Sequence, residues 1–133
     1  MSAPVRVSGE AASAQANALG RLLSGGYLEL RTGAQPAKPE SPATGVMLAK
    51  LFFDDPATLP ADGGLLVLHP LVPEQSAEAD GDAGWFRAYG SDGRPVCDGS
   101  VGTKDATLIL GSTHIQQGSR VVVQAGTFIV QRA

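Results

Sequence analysis

Two hydrophobic periods divide the chain. Between Glu10 and Leu23 the apolar positions Ala12, Ala16, Leu19 and Leu23 recur at helical spacing, and Ser24-Gly25-Gly26 follows at once. That pattern predicts a short helix stopped by glycines. Half of its stripe is alanine, so the helix buries too little to be stable alone and must dock on another surface. Residues 1-26 therefore read as an N-terminal helix or attachment arm, with Leu19, Leu22 and Leu23 as its contact residues. The competing expectation is that the helix simply covers one edge of its own domain.

From Tyr27 the period becomes two. Leu28 and Leu30 point one way and Tyr27, Glu29 and Arg31 the other, which predicts a half-buried strand. Residues 33-45 carry Pro36, Pro39 and Pro42 and read as a surface connection without helix or interior strand. Val46 to Phe53 is apolar on both faces, which predicts a central strand. After Asp54-Asp55-Pro56, a loop leads to the short run Leu65 to Leu68, and Glu74 to Gly84 reads as a long exposed acidic loop. Trp85 to Tyr89 is the next strand, and Asp92-Gly93 provides a hairpin turn into Pro95 to Asp98. A turn at Asp98 to Gly102, a strand at Ala106 to Leu110, a short Ile115 segment and a closing strand from Arg120 to Val130 complete the pattern, with a bulge expected at Gly126. The predicted fold is mainly β: one domain over 27-133, an antiparallel β-sandwich or jelly roll, preceded by the helix or arm.

In the Trp85 strand, alternation sets Phe86 and Ala88 against Trp85, Arg87 and Tyr89. The Phe86 face is expected in the core, because an unpaired buried Arg87 is costly. Trp85, Arg87 and Tyr89 then face outward as candidate interface anchors.

Composition narrows the chemistry. With 133 residues, a second full domain does not fit. A net charge of -3 offers no basic field for nucleic acid or an anionic membrane. The start has no apolar run of signal-peptide length, so the chain is expected to stay where it is made. One cysteine, Cys97, excludes an internal disulfide, and with His69 and His114 it forms no zinc set unless carboxylates join. The two histidines lack the flanking residues of a nucleophile and base pair, and Cys97 sits in a strand as a small hydrophobe. Glu78, Asp80 and Asp82 alternate as in a calcium loop, but the closing bidentate Glu is missing. Glycine-rich stretches lack the residues of a phosphate cradle. The expectation is a non-catalytic protein with no metal and no cofactor.

The order of segments adds to this. Leu28 to Gly33 with Gln35-Pro36-Ala37, then Gly45 to Phe53, Ala77 to Ala88, Ser91-Asp92-Gly93, Asp98 to Gly102, Leu108 to Ser112 and Val121 to Val130 resemble a family of small tailed-phage and prophage structural proteins. The Ala-Gly-Trp-Phe-Arg segment at 83-87 is the most specific part of the likeness, which spans most of residues 20-130. The chain departs from the family in its longer proline-rich connection and in Leu65 to Pro73. The resemblance implies a virion component made in the host cytoplasm: a capsid decoration or cement protein whose partners are the major capsid protein and copies of itself, as dimer or trimer. It implies no catalytic residues. Two other readings are a carbohydrate-binding or adhesin-type module, for which a β-sandwich is equally suited, and a neck or tail component of the same particle.

Overall fold

The computed structural model describes residues 5-129; the ends of the expected arm (1-4) and of the last strand (130-133) lie outside the described residues. Helix α1 (Gly9–Leu23) begins where Ser8 accepts the Ala11 amide at 3.1 Å, with Glu10 in its first turn and Arg21 in its last, both favourable to the helix dipole. It ends at Ser24, whose amide and hydroxyl both donate to the Gly20 carbonyl.

The described residues contain nine strands: β1 (Tyr27–Arg31), β2 (Met47–Phe52), β3 (Leu65–Val67), β4 (Gly81–Asp82), β5 (Trp85–Tyr89), β6 (Pro95–Gly102), β7 (Leu108–Ile109), β8 (His114–Ile115) and β9 (Ala125–Ile129). Seven of them form one sheet in the order β2-β1-β5-β6-β7-β9-β3, and β4 pairs with β8 separately. The chain is thus mainly β with one N-terminal helix. The pairing is mixed rather than wholly antiparallel, since β6 and β7 run parallel, with Val101 opposite Leu108. Between them Asp105 takes a left-handed φ of 52°. The Ser100 hydroxyl accepts the Thr107 amide at 3.0 Å, so the chain coils through one turn instead of reversing.

Four other expectations change for physical reasons. The apolar stretch at β2 predicted a central strand, but β2 ends the sheet order. Its outward-facing Phe52 is 47% exposed, whereas Leu48 is buried at the bulge where β1 and β2 shift register. The expected turn at Asp98 to Gly102 continues β6, because Ser100 and Gly99 pair with Trp85 and Phe86. The acidic stretch is not a free loop: Ala77 and Ala83 enter the core, and Gly81–Asp82 forms β4. Gly126 marks a close approach, not a bulge, since a Cβ there would collide with Leu68 and Leu108.

The segment after β3 joins the two ends of the sheet. Leu68 donates its amide to the Gly126 carbonyl of β9, and Val72 donates to Phe52 of β2. Inside the curled sheet lies one apolar cluster that includes Leu28, Leu30, Leu51, Leu66, Phe86, Leu108 and Phe128. The rings of Phe86 and Phe128 stack with centroids 5.9 Å apart. Phe86 therefore takes the core face, as alternation predicted.

The helix is not a free arm. Ala12, Ala16 and Leu23 are completely buried, Leu19 packs against the core, and the helix lies against β3 and β6. Gly20 permits this closeness, because a Cβ there would press on Thr58. Leu22 alone among the three leucines faces outward, 62% exposed. Among the described residues no helix is long and apolar enough to cross a membrane.

Candidate functional site

The outer face of the β2-β1-β5-β6 sheet carries three rows of side chains, set by strand register. Phe52, Tyr27 and Tyr89 lie side by side across three strands. The next row is Lys50, Glu29, Arg87 and Asp98, and the third contains Met47, Arg31, Trp85 and Ser100. Each strand contributes alternate positions, with one residue of offset at the β2 bulge, so the face follows from the same alternation that fills the core.

Part of this face is closed. The proline-rich 33-45 segment folds back as a strap. Arg87 donates from Nη1 to the Ser41 carbonyl at 2.6 Å and from Nη2 to the Lys38 carbonyl at 3.4 Å. The same guanidinium grips Asp98 through two bonds, 2.7 Å from Nε and 3.0 Å from Nη2. Both side chains are almost wholly buried, 3% and 1% exposed. The Asp98 hydrogen bonds raise the Arg87 pKa beyond its ordinary value, against the opposing pull of burial. At the root of the strap Trp85 donates its indole N–H to the Thr32 carbonyl at 3.1 Å. Arg31 donates from Nε to the Thr44 carbonyl at 3.0 Å and ion-pairs with Glu29 at 2.9 Å.

Three expected interface anchors thus have different fates. Trp85 and Arg87 are buried inside the protomer and present no surface to a neighbour, which corrects the outward assignment. Arg87 is tolerated there because Asp98 and the strap carbonyls satisfy its donors. Tyr89 is half-buried; its hydroxyl donates to Glu29 at 3.2 Å and its ring stacks on Tyr27 at 4.8 Å. Burial and the nearby Glu29 carboxylate raise the pKa of both tyrosines. Of the helix residues, Leu23 is consumed by the core and Leu19 mostly so, leaving Leu22 at the surface.

The open part of the face is the Phe52-Tyr27-Tyr89 row with Lys50, whose Nζ sits 4.0 Å from the Tyr27 ring centroid as a cation–π contact. Beside it runs a groove of about 800 Å³ lined by Lys50, Phe52, Val72, Glu74, Glu78 and Gln117 among others. Glu74 and Glu78 both line it as neighbours. Burial, and then the adjacent Glu78 charge, push the Glu74 carboxyl above its ordinary value; Lys50 opposes this only in part. A second apolar surface lies on the far strands, where cross-strand partners Leu65 and Ile129 are 43% and 79% exposed beside Val67.

The remaining candidates are engaged in structure. Asp80 accepts the Gln117 amide at 2.7 Å, and Asp82 pairs with His114 at 3.2 Å in solvent, so two of the three alternating carboxylates hold the β4-β8 turn instead of converging. Among the described residues no cluster of three His, Cys, Asp or Glu could hold a metal ion. The His69 amide donates to Ala57. Cys97 packs against the core, where burial and then the Asp98 charge push its thiol up to about 12. Two results follow for Cys97. Alkylation by iodoacetamide should be far slower in the folded protein than in denaturant, because little thiolate forms. The raised value also favours the folded state below about pH 9, the thiol's ordinary value of 9.0, and this contribution is lost as pH rises toward 12. Tyr27 and Tyr89 act in the same direction. Urea melts between pH 8 and 11 should show stability falling, with a shallower fall in Cys97→Ala.

The groove, the strap and the Tyr89–Glu29 hydrogen bond were invisible to sequence patterning, since each joins segments distant in the chain. No family model, curated protein or solved structure matches this chain.

Proposed function

We infer that the protein is a non-enzymatic structural component of a tailed-phage particle, a decoration or cement protein that binds the major capsid protein at the outer surface of the head. The sequence resemblance over residues 20-130 supports this reading. The observation that carries it is the apolar outer face of β3 and β9, where Leu65, Val67 and Ile129 stand exposed on a rigid β body. Contiguous exposed apolar side chains on a well-packed domain mark a protein-binding surface. A shell component gains from such patches, because many weak identical contacts add up over a lattice. The seven-stranded sheet, curled so that residues 68-78 bridge its ends, would serve as the jelly-roll-like body of such a component.

The carbohydrate-binding alternative is weakened by geometry. The Tyr27 ring is already engaged by the stacked Tyr89 ring and by the Lys50 ammonium, which leaves less of it for a sugar to stack on. The test is co-sedimentation of the purified protein with expanded empty shells of the major capsid protein. Binding is expected, with roughly tenfold or greater weakening in Val67→Asp, as burying an unpaired charge at an interface demands. Co-sedimentation with neck or tail assemblies but not with shells would place the protein elsewhere in the particle; binding to neither defeats the proposal.

A further inference from the structure

The outer edge of β2 is paired at both ends and open in the middle. Val72 donates its amide to the Phe52 carbonyl, and Glu78 donates to Leu48. Residues 48, 50 and 52 therefore turn their backbone polar groups away from β1, as alternation in an antiparallel ladder requires. Between the two bonds the chain swings away, because Glu74 exchanges both of its backbone hydrogen bonds with Val121. Among the described residues nothing takes up the Lys50 N–H and C=O on that side. Lys50 itself lines the groove of about 800 Å³ on this edge. An open donor and acceptor on a strand edge, next to a cavity, is the setting in which an extended peptide adds a short strand.

The walls specify the peptide. Phe52 and Val72, 47% and 55% exposed, give apolar contact, while Glu74 and Glu78 give a pair of carboxylates that repel each other. An extended segment with alternating aliphatic and basic residues matches both. Among the described residues outside the regular elements, Val5-Arg6-Val7, directly before the helix N-cap, is such a segment. Val5 is 87% exposed, the most of any large apolar side chain described, and Arg6 is exposed and forms no ion pair among the described residues. In an extended conformation Val5 and Val7 share one side and Arg6 takes the other.

We propose that the Val5-Arg6-Val7 segment of one copy docks in the Lys50–Glu78 groove of another, pairing with the free edge of β2 at Lys50 and placing the Arg6 guanidinium between Glu74 and Glu78. The contact is heterologous: segment and groove are different surfaces, so each copy gives one and receives one, and the product is a ring or an open chain. Only one residue of the edge is open, so a single contact is weak and gains strength from repetition. The proposal stands apart from shell binding and is tested on the isolated protein.

The experiment titrates a synthetic peptide of residues 2-9 into the ¹⁵N-labelled full-length protein and follows sedimentation of the protein alone over a wide concentration range. The expected results are peptide-induced shifts at the Lys50, Phe52 and Glu78 amides, slowed hydrogen exchange of the Lys50 amide, and concentration-dependent self-association. Arg6→Glu should weaken association roughly tenfold or more, the size expected for loss of a desolvated charge pair. The Glu74→Lys/Glu78→Lys protein should fail with wild type as the segment donor and recover with Arg6→Glu. Arg6 and Glu78 are exposed and Glu74 is partly so, and melting curves establish that each variant folds. A protein that stays monomeric and whose Lys50 amide ignores the peptide overturns the proposal. So does association that survives Arg6→Glu but disappears in Val67→Asp, which would assign it to the β3-β9 face. Peptide shifts at the groove with a monomer at every concentration would mean the segment docks within its own copy, and that also overturns it.

Discussion

Arg87→Ala should be among the most destabilising single substitutions in this protein, costing about 3–5 kcal/mol. The guanidinium is 3% exposed and makes two bonds to a carboxylate that is 1% exposed. Truncation strands the Asp98 charge in a place that water does not reach, and the desolvation already incurred is then uncompensated. It also frees the Ser41 and Lys38 carbonyls and with them the strap over the outer face. For a domain of this size the loss corresponds to a melting temperature lower by roughly 10 °C or more. Removing both charges should do much less harm. Arg87→Met combined with Asp98→Leu keeps volume and leaves no orphaned ion, so its melting point should lie well above that of Arg87→Ala. Limited proteolysis adds a local readout: cleavage at Lys38 should accelerate in both variants, because the strap loses its anchor in each. A melting point in Arg87→Ala within a degree or two of wild type would show that the pair contributes nothing.

Deleting residues 1-24 should abolish cooperative melting. Leu23 is fully buried, Ala12 and Ala16 are sealed, and Leu19 packs on the core beside Phe86, Cys97 and Phe128. Each fully buried leucine is worth about 1.5–3 kcal/mol, and total stabilities of single domains are only about 5–15 kcal/mol. Two point variants give the graded version. Leu23→Ala should cost about 2–5 kcal/mol, while Leu22→Ala, one residue away and 62% exposed, should change stability by about 0.5 kcal/mol or less. An attachment arm predicts the reverse: the deletion and both leucine variants melt like wild type and lose binding. Thermal melts of the three proteins decide between the two roles.

Sequence alone determined those features in which a local period coincides with burial. Leu28 and Leu30 alternate against Tyr27, Glu29 and Arg31 because a strand with one covered face admits no other arrangement, and the structure keeps that facing. The helix and its glycine stop were legible from spacing and conformational cost, as was the Asp92-Gly93 hairpin, where Gly93 takes a left-handed φ of 81°. Phe86 was assigned inward for a sound reason, the cost of burying arginine unpaired. Only tertiary structure could reveal that the cost is met. Asp98 lies 11 residues away across a strand pair, and the strap carbonyls come from 46 and 49 residues away, separations at which no periodicity carries information. The same limit hid the parallel β6-β7 pair, the end position of β2 and the groove beside Lys50. A stretch that is apolar on both faces records that something covers it. Whether the cover is a neighbouring strand, a bulge or a returning loop is decided by which distant segments close on one another.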